Sequence, residues 1–276
     1  NKKGKNEIIV FENSFHGRTI ATLSSTGQKK FHEGFEPILG GFKYAKFNDL
    51  NSVKKLISRK TAGIMIELVQ GEGGVNIAEK DFVKGLKNLC KKNKLLLIFD
   101  EIQTGLGRTG KLFGYEHYGV TPDIFTLAKS LGGGLPLGAT IVKENIASVF
   151  NYGDHGSTFG GNPVSCVASL EVLKGLNPSL LKKVLENGKY FVSKLQKLKE
   201  KNSFIKDVRG LGLMVGMELD FKGADIVKFC KVKGVLINCT NDKVLRFLPP
   251  LIINKKDIDK VIEILEDAFI WQRSKK

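Results

Sequence analysis

Short apolar runs alternate with longer stretches of helical periodicity along the first half of the chain. EIIVF (7–11), TAGIMIELV (61–69), LLLIF (95–99), DIFTLAK (123–129) and ATIVK (139–143) are short and rich in β-branched or large apolar residues, which predicts strands. DLNSVKKLISRK (49–60) and AEKDFVKGLKNLCKKN (78–93) carry apolar residues at helical spacing, and Asp49 stands where a helix cap belongs. Polar or glycine-rich loops follow the strands: ENSFHGRT, QGEGG, DEIQTG and SLGGGLPLG. The alternation predicts an α/β fold with a mostly parallel sheet and helices on both faces. In such sheets ligands bind beyond the carboxyl ends of the strands, where these loops lie.

The pattern changes near residue 165. NPVSCVASLEVLKGL leads into NPSLLKKVLENGKYFVSKLQKLKEK, with Asn177 as cap and Pro178 at the first helical position. RGLGLMVGMEL, a helix near 224–233, GVLIN, VLRFLPP and a last helix over KKDIDKVIEILEDAFIW follow. The expected organisation is a large domain over residues 1–165, then a linking helix and a small C-terminal α+β domain over 166–276.

Composition narrows the function classes. With 42% hydrophobic residues the chain can bury a real core. A formal charge of +16 raises the question of nucleic acid. The lysines, however, are scattered beside apolar residues, as on solvated helix faces, and anionic small substrates suit the charge better. No apolar run approaches the ~20 residues of a membrane span, and no secretory leader opens the sequence. The four cysteines form no C-x-x-C pair, so reduced thiols in a cytoplasmic protein are expected. The histidines show no metal-ligand spacing, and no metal is expected.

Candidate chemistry begins at LLLIFDEIQTGLGRTGK (95–111), where a hydrophobic strand runs into Asp100 and Glu101. A nucleotide hydrolase would place magnesium-binding acids there. GLGRTGK (105–111) matches most of a phosphate-binding loop, but Leu112 replaces the required hydroxyl residue. Lys129 gives a better partner. It ends an apolar run and precedes three glycines that let the backbone turn tightly against a ligand. A partly buried lysine acts as an amine nucleophile. With a strand-end aspartate it suits pyridoxal phosphate: the amine takes the cofactor aldehyde, and Asp100 holds the pyridinium proton.

Six blocks carry a family resemblance: ENSFHGRT, IELVQGEGG, LLLIFDEIQTGLGRTG, PDIFTLAKSLGGGLPLGA, HGSTFGGNPVSC and RFLPPLII, in this order. Together they resemble the class III (ornithine-type) aminotransferases, over essentially the whole chain. The resemblance implies the pyridoxal-phosphate-dependent transferase fold of type I. It implies that Lys129 carries the cofactor and shuttles the proton, that Asp100 pairs with the ring nitrogen, and that Gln103 lies near the phenolic oxygen. Phe15 would stack on the ring with His16 beside it, and Glu67 would lie at the base of the site. Ser157 and Thr158 would serve the cofactor phosphate of a neighbouring subunit, which implies a homodimer with its active site at the interface. Arg18 would grip the distal carboxylate of the substrate, and Arg246 the α-carboxylate of 2-oxoglutarate or glutamate. Glu72 would cover Arg246 while an ω-amino donor is bound.

The acetylornithine branch of the family is the expected one. Its reaction moves the terminal amine of N2-acetylornithine to 2-oxoglutarate, in arginine biosynthesis. Succinylornithine, succinyl-diaminopimelate, ornithine and 4-aminobutyrate are alternative donors; a catalytically silent protein of the same fold, or a basic nucleic-acid binder, is the non-enzymatic alternative. Relatives carry a long segment before the ENSFHGRT block, including a phosphate-binding turn, so this sequence is expected to be a piece of a longer protein. IELVQ also has Leu68 where many relatives have proline.

Overall fold

The computed structural model describes residues 4–274. In chain order its strands are β1 (Glu7–Phe11), β2 (Phe42–Ala45), β3 (Thr61–Glu67), β4 (Val69–Gln70), β5 (Asn76–Ile77), β6 (Leu96–Asp100), β7 (Ile124–Leu127), β8 (Ala139–Val142), β9 (Ile205–Leu211), β10 (Met214–Leu219), β11 (Asn238–Thr240) and β12 (Val244–Phe247). The helices are α1 (Ile20–Ser25), α2 (Leu50–Leu56), α3 (Lys80–Asn93), α4 (Glu144–Ala147), α5 (Pro163–Gly175), α6 (Pro178–Lys201), α7 (Ala224–Val232) and α8 (Lys255–Ser274). The strands and helices expected from periodicity are present with ends shifted by a few residues, except that of GVLIN (234–238) only Asn238 is in a strand, β11. Asp49 caps α2 by accepting from the amides of Asn51 and Ser52. Asn162 and Asn177 cap α5 and α6, each followed by proline. Those side chains satisfy amides that the first turn of a helix leaves unpaired.

The chain divides into two compact units. Among the described residues the first comprises 4–70, 78–106 and 113–176; the second comprises 71–77, 107–112 and 177–274. This differs from a single cut after residue 165. α5 stays with the first unit because it packs on the turn after β7: a Cβ placed on Gly133 would stand 3.1 Å from Val172 Cγ2. The segment 71–77 goes with the second unit because Arg209 binds the carbonyls of Gly74 and Val75. The segment 107–112 joins it because Arg108 donates to the carbonyls of Leu213 and Pro249.

In the first unit six strands form one sheet in the order β2-β1-β3-β6-β7-β8. All neighbours are parallel except the β7–β8 pair. Side chains of β1, β3 and β6 bury Ile9, Phe11, Ile64, Ile66, Leu97 and Phe99 with Phe82 and Leu86 of α3. Each such side chain contributes about 1.5–3 kcal/mol of burial. Near-continuous apolar runs are what parallel strands covered on both faces require.

The second unit holds the antiparallel sheet β11-β12-β10-β9. Its core joins Val215, Met217, Leu245 and Phe247 of the sheet with Phe191 and Leu195 of α6 and Ile258, Leu265 and Phe269 of α8. No helix among the described residues is long and apolar enough to cross a membrane.

Candidate active site

Four adjacent strands of the parallel sheet deliver the candidate residues. Going across the order β1-β3-β6-β7, Phe15 and His16 follow the carboxyl end of β1, Glu67 ends β3, Asp100 ends β6, and Lys129 stands two residues past β7. Phe15, His16, Gly17, Glu67, Asp100, Ile102, Gln103 and Lys129 line one cleft of about 100 Å³. Glu67 and Asp100 are register partners on neighbouring strands.

Asp100 is 7% exposed. Its Oδ2 accepts from His16 Nδ1 at 2.7 Å, and its Oδ1 accepts from the amide of Ile102 at 3.1 Å. A carboxylate only accepts, so the ring hydrogen sits on Nδ1 and Nε2 is left as the other ring nitrogen. That Nε2 is buried without a partner. Glu67, also buried, accepts from the amide of Phe15 at 2.9 Å, which ties the loop after β1 to the end of β3.

Adjacent strand residues point to opposite faces, and Glu101 is accordingly turned away from Asp100. It is 1% exposed and accepts from the amides of Gly114 and Tyr115 and the hydroxyl of Thr104. Burial pushes its carboxyl pKa up, against those three hydrogen bonds. Sequence reasoning missed this role, although the period of two in a strand could have separated the two acids. The GLGRTGK stretch is a loop with Gly107 and Gly110 in left-handed conformations. A short 3-10 turn at Gly114–His117 follows it, so it presents no helix N-terminus to a phosphate.

Lys129 is more exposed than the apolar run before it suggests. The strand ends at Leu127, and Lys129 opens a 3-10 turn beyond it. Its φ of 51° is left-handed, a strained conformation for a non-glycine residue, and Gly133 and Gly134 follow with φ of 61° and 108°. Phe15 packs edge-on against Phe31 at 5.3 Å, and the Arg18 guanidinium lies 5.5 Å and 4.6 Å from the centres of those two rings. Arg18 itself is exposed. Ser157 and Thr158 lie in an exposed loop and do not line the cleft.

Arg246 and Glu72 belong to the second unit. Arg246 Nη1 donates to Glu72 Oε1 at 2.7 Å, and its Nε donates to Asn238 Oδ1 at 3.1 Å. The arginine side chain is 7% exposed and the glutamate 31%. Among the described residues no cluster of metal-binding side chains occurs.

The donor set of the cleft fits pyridoxal phosphate. An amine, a buried acid braced by histidine, an aromatic ring and a glutamine meet in one place, and His16 Nε2 is a buried polar atom still lacking a partner. Comparison with known proteins agrees. Residues 1–269 match the aminotransferase class-III family. The chain is 57% identical to the acetylornithine aminotransferase of Methanocaldococcus jannaschii over 266 residues, covering 95% of this chain and 66% of that protein. It is 53% identical to the one from Aquifex aeolicus over 269 residues, covering 97% and 70%. The chain thus spans about two thirds of the length of the curated relatives it matches. Among solved structures, the ornithine aminotransferase of Toxoplasma gondii superposes with a TM-score of 0.93 at 33% identity, covering 100% of this chain and 67% of that one. The N-acetylornithine aminotransferase of Stenotrophomonas maltophilia gives 0.83 at 32% identity, covering 99% and 68%. By family match, identity and fold, the chain belongs to the class-III aminotransferases.

Proposed function

We propose that this protein transfers the terminal amine of N2-acetylornithine to 2-oxoglutarate, giving N-acetylglutamate 5-semialdehyde and glutamate, as arginine biosynthesis requires. The convergence of Lys129, Asp100 and His16 on one cleft at the carboxyl ends of four strands carries this reading. The acetylornithine aminotransferases among its relatives support the choice of donor.

Pyridoxal phosphate supplies the electron sink that makes the hydrogen beside the substrate nitrogen removable. Lys129 would hold the cofactor through Nζ, and the same amine would carry that proton. Asp100 would hold a proton on the ring nitrogen, and His16 would keep the carboxylate oriented for it. Phe15 would lie against the ring, Gln103 would serve its phenolic oxygen, and Glu67 would close the base of the cleft. Arg18 takes the distal carboxylate of the donor. Arg246 takes the α-carboxylate of 2-oxoglutarate or glutamate, since a planar guanidinium binds a carboxylate through two parallel hydrogen bonds. Glu72 neutralises Arg246 when the donor brings no carboxylate there, sparing the enzyme a buried unpaired charge.

A homodimer follows from the same reading, with Ser157 and Thr158 serving the cofactor phosphate of the second copy. The loop and helix beside them support it. Phe159, Val164, Val167 and Leu170 are all exposed. An apolar patch of this kind needs a cover in water.

The test supplies the complete holoenzyme with N-acetylornithine, N-succinylornithine, succinyl-diaminopimelate, ornithine and 4-aminobutyrate in turn and compares kcat/KM. N-acetylornithine should lead. A faster reaction with another donor removes the substrate assignment. Lys129→Ala should lower amino transfer by several orders of magnitude, and near-native turnover would remove the reaction class as well.

A further inference from the structure

One row of residues crosses the antiparallel sheet of the second unit. Arg209 on β9 pairs in register with Gly216 on β10, Gly216 pairs with Arg246 on β12, and Arg246 pairs with Asn238 on β11. Register partners project to the same face of a sheet, so the two arginines stand on one face with a glycine between them. The segment Gly71–Ile77 lies over that row. Glu72 reaches Arg246 at one end. At the other end Arg209 Nη2 donates to Gly74 O at 2.6 Å, and its Nε is shared between Gly74 O at 3.1 Å and Val75 O at 3.2 Å. In the middle, a Cβ on Gly216 would stand 2.9 Å from Val75 Cβ, so the bare glycine makes room for the valine.

The segment is held in a conformation it would not choose alone. Val75 has a φ of 56° and no exposed surface, and Gly74 has a φ of 111°. A left-handed β-branched residue is a rare and costly state that persists only where its surroundings impose it. Arg209 is itself braced from behind, with Nη1 donating to Asp207 at 2.9 Å and Glu218 at 2.7 Å.

We propose that Arg209 is a positioning residue: by clamping the carbonyls of Gly74 and Val75, it keeps the backbone of Gly71–Ile77 in place, so that Glu72 leaves and regains Arg246 by moving its side chain alone. Arg246 is held by Asn238 through Nε, and Glu72 is the more exposed partner. The guanidinium is therefore the fixed member of the pair and the carboxylate the movable one. The inference rests on the exchange role of Glu72 and Arg246 set out under the proposed function.

The test uses the complete holoenzyme and compares two half-reactions, with N-acetylornithine and with glutamate as donor. Arg209→Gln should lower kcat/KM for acetylornithine about tenfold while leaving glutamate within about twofold, because only the former needs Glu72 back on Arg246. Arg209→Lys should fall between. Gly216→Ala, which keeps Arg209 and its acidic partners but pushes against Val75, should produce the same selective loss. Hydrogen exchange at amides 73–77, read without substrate, should rise in Arg209→Gln and Gly216→Ala. Parallel loss of both half-reactions, or unchanged exchange at those amides, overturns the clamp. So does an equal selective loss in Glu218→Gln, which removes a brace of Arg209 and not the loop contacts. Glu72→Ala separates the two ideas. If it leaves the half-reactions in their normal proportion, the exchange role itself fails; if it shifts them while Arg209→Gln does not, only the clamp fails.

Discussion

His16 Nδ1 donates to Asp100 Oδ2 at 2.7 Å, across 84 positions of sequence. The pair is buried, and the remaining anchors of Asp100 are the Ile102 amide and, at 3.4 Å, the Thr126 hydroxyl. A hydrogen bond to a charged group contributes about 1.5–3 kcal/mol, a factor of roughly 10–100. His16→Ala should therefore lower kcat by that factor in both half-reactions and speed cofactor loss on dialysis. His16→Asn, whose amide can still donate, should recover part of both. Unaltered kcat and cofactor retention in His16→Ala would leave the histidine a packing residue.

Arg246 offers its Nε to Asn238 and its Nη1 to Glu72. Lysine keeps the charge but cannot reproduce the fork that meets a carboxylate with two hydrogen bonds. Arg246→Lys should raise KM for glutamate and 2-oxoglutarate about 10–100-fold, with a much smaller effect on KM for acetylornithine. Equal changes for all three substrates would place Arg246 outside the binding of the α-carboxylate.

The four cysteines are free thiols. Burial, with a smaller push from Asp123, raises the Cys90 pKa to about 12, and burial raises that of Cys230 to about 11. Burial disfavours the anionic form, so both groups keep their protons well above neutral pH. At pH 8 the thiolate population of Cys90 is about one part in ten thousand, and the thiolate is the reactive species. Iodoacetamide at pH 8 should leave Cys90 and Cys230 unmodified in the folded protein and modify both in urea, as read by peptide mass spectrometry. Rapid native alkylation at either site would contradict the packing of α3 or α7.

Gly188 sits in the middle of α6. Helix propensity alone favours alanine there by roughly 1 kcal/mol. The fold reverses the sign: a Cβ on Gly188 would stand 2.2 Å from the carbonyl oxygen of Gly212. Gly188→Ala should destabilise by about 2 kcal/mol or more, seen as a lower urea midpoint. Gly175→Ala, where a Cβ meets nothing within 4 Å, should be neutral or slightly stabilising. A raised midpoint for Gly188→Ala would mean that α6 does not pack on the Gly212 turn.

Much of the architecture was legible from the chain alone, because its signals are local. Periodicities of two and of 3.6 marked the strands and helices, and Asp49 and Asn177 announced helix starts through side chains that reach only two or three residues. Lys129 and Asp100 stood out for a similar reason, each at the seam between an apolar run and a glycine-rich loop. Tertiary structure alone decided which strand ends are neighbours, and hence that His16 braces Asp100 while adjacent Glu101 turns away to tie down Gly114 and Tyr115. It also decided that 71–77 and 107–112 join the second unit, through arginine–carbonyl bonds between residues more than a hundred positions apart. Such contacts depend on sheet order and on where a backbone comes close enough to share a guanidinium. No short window of sequence carries that distance.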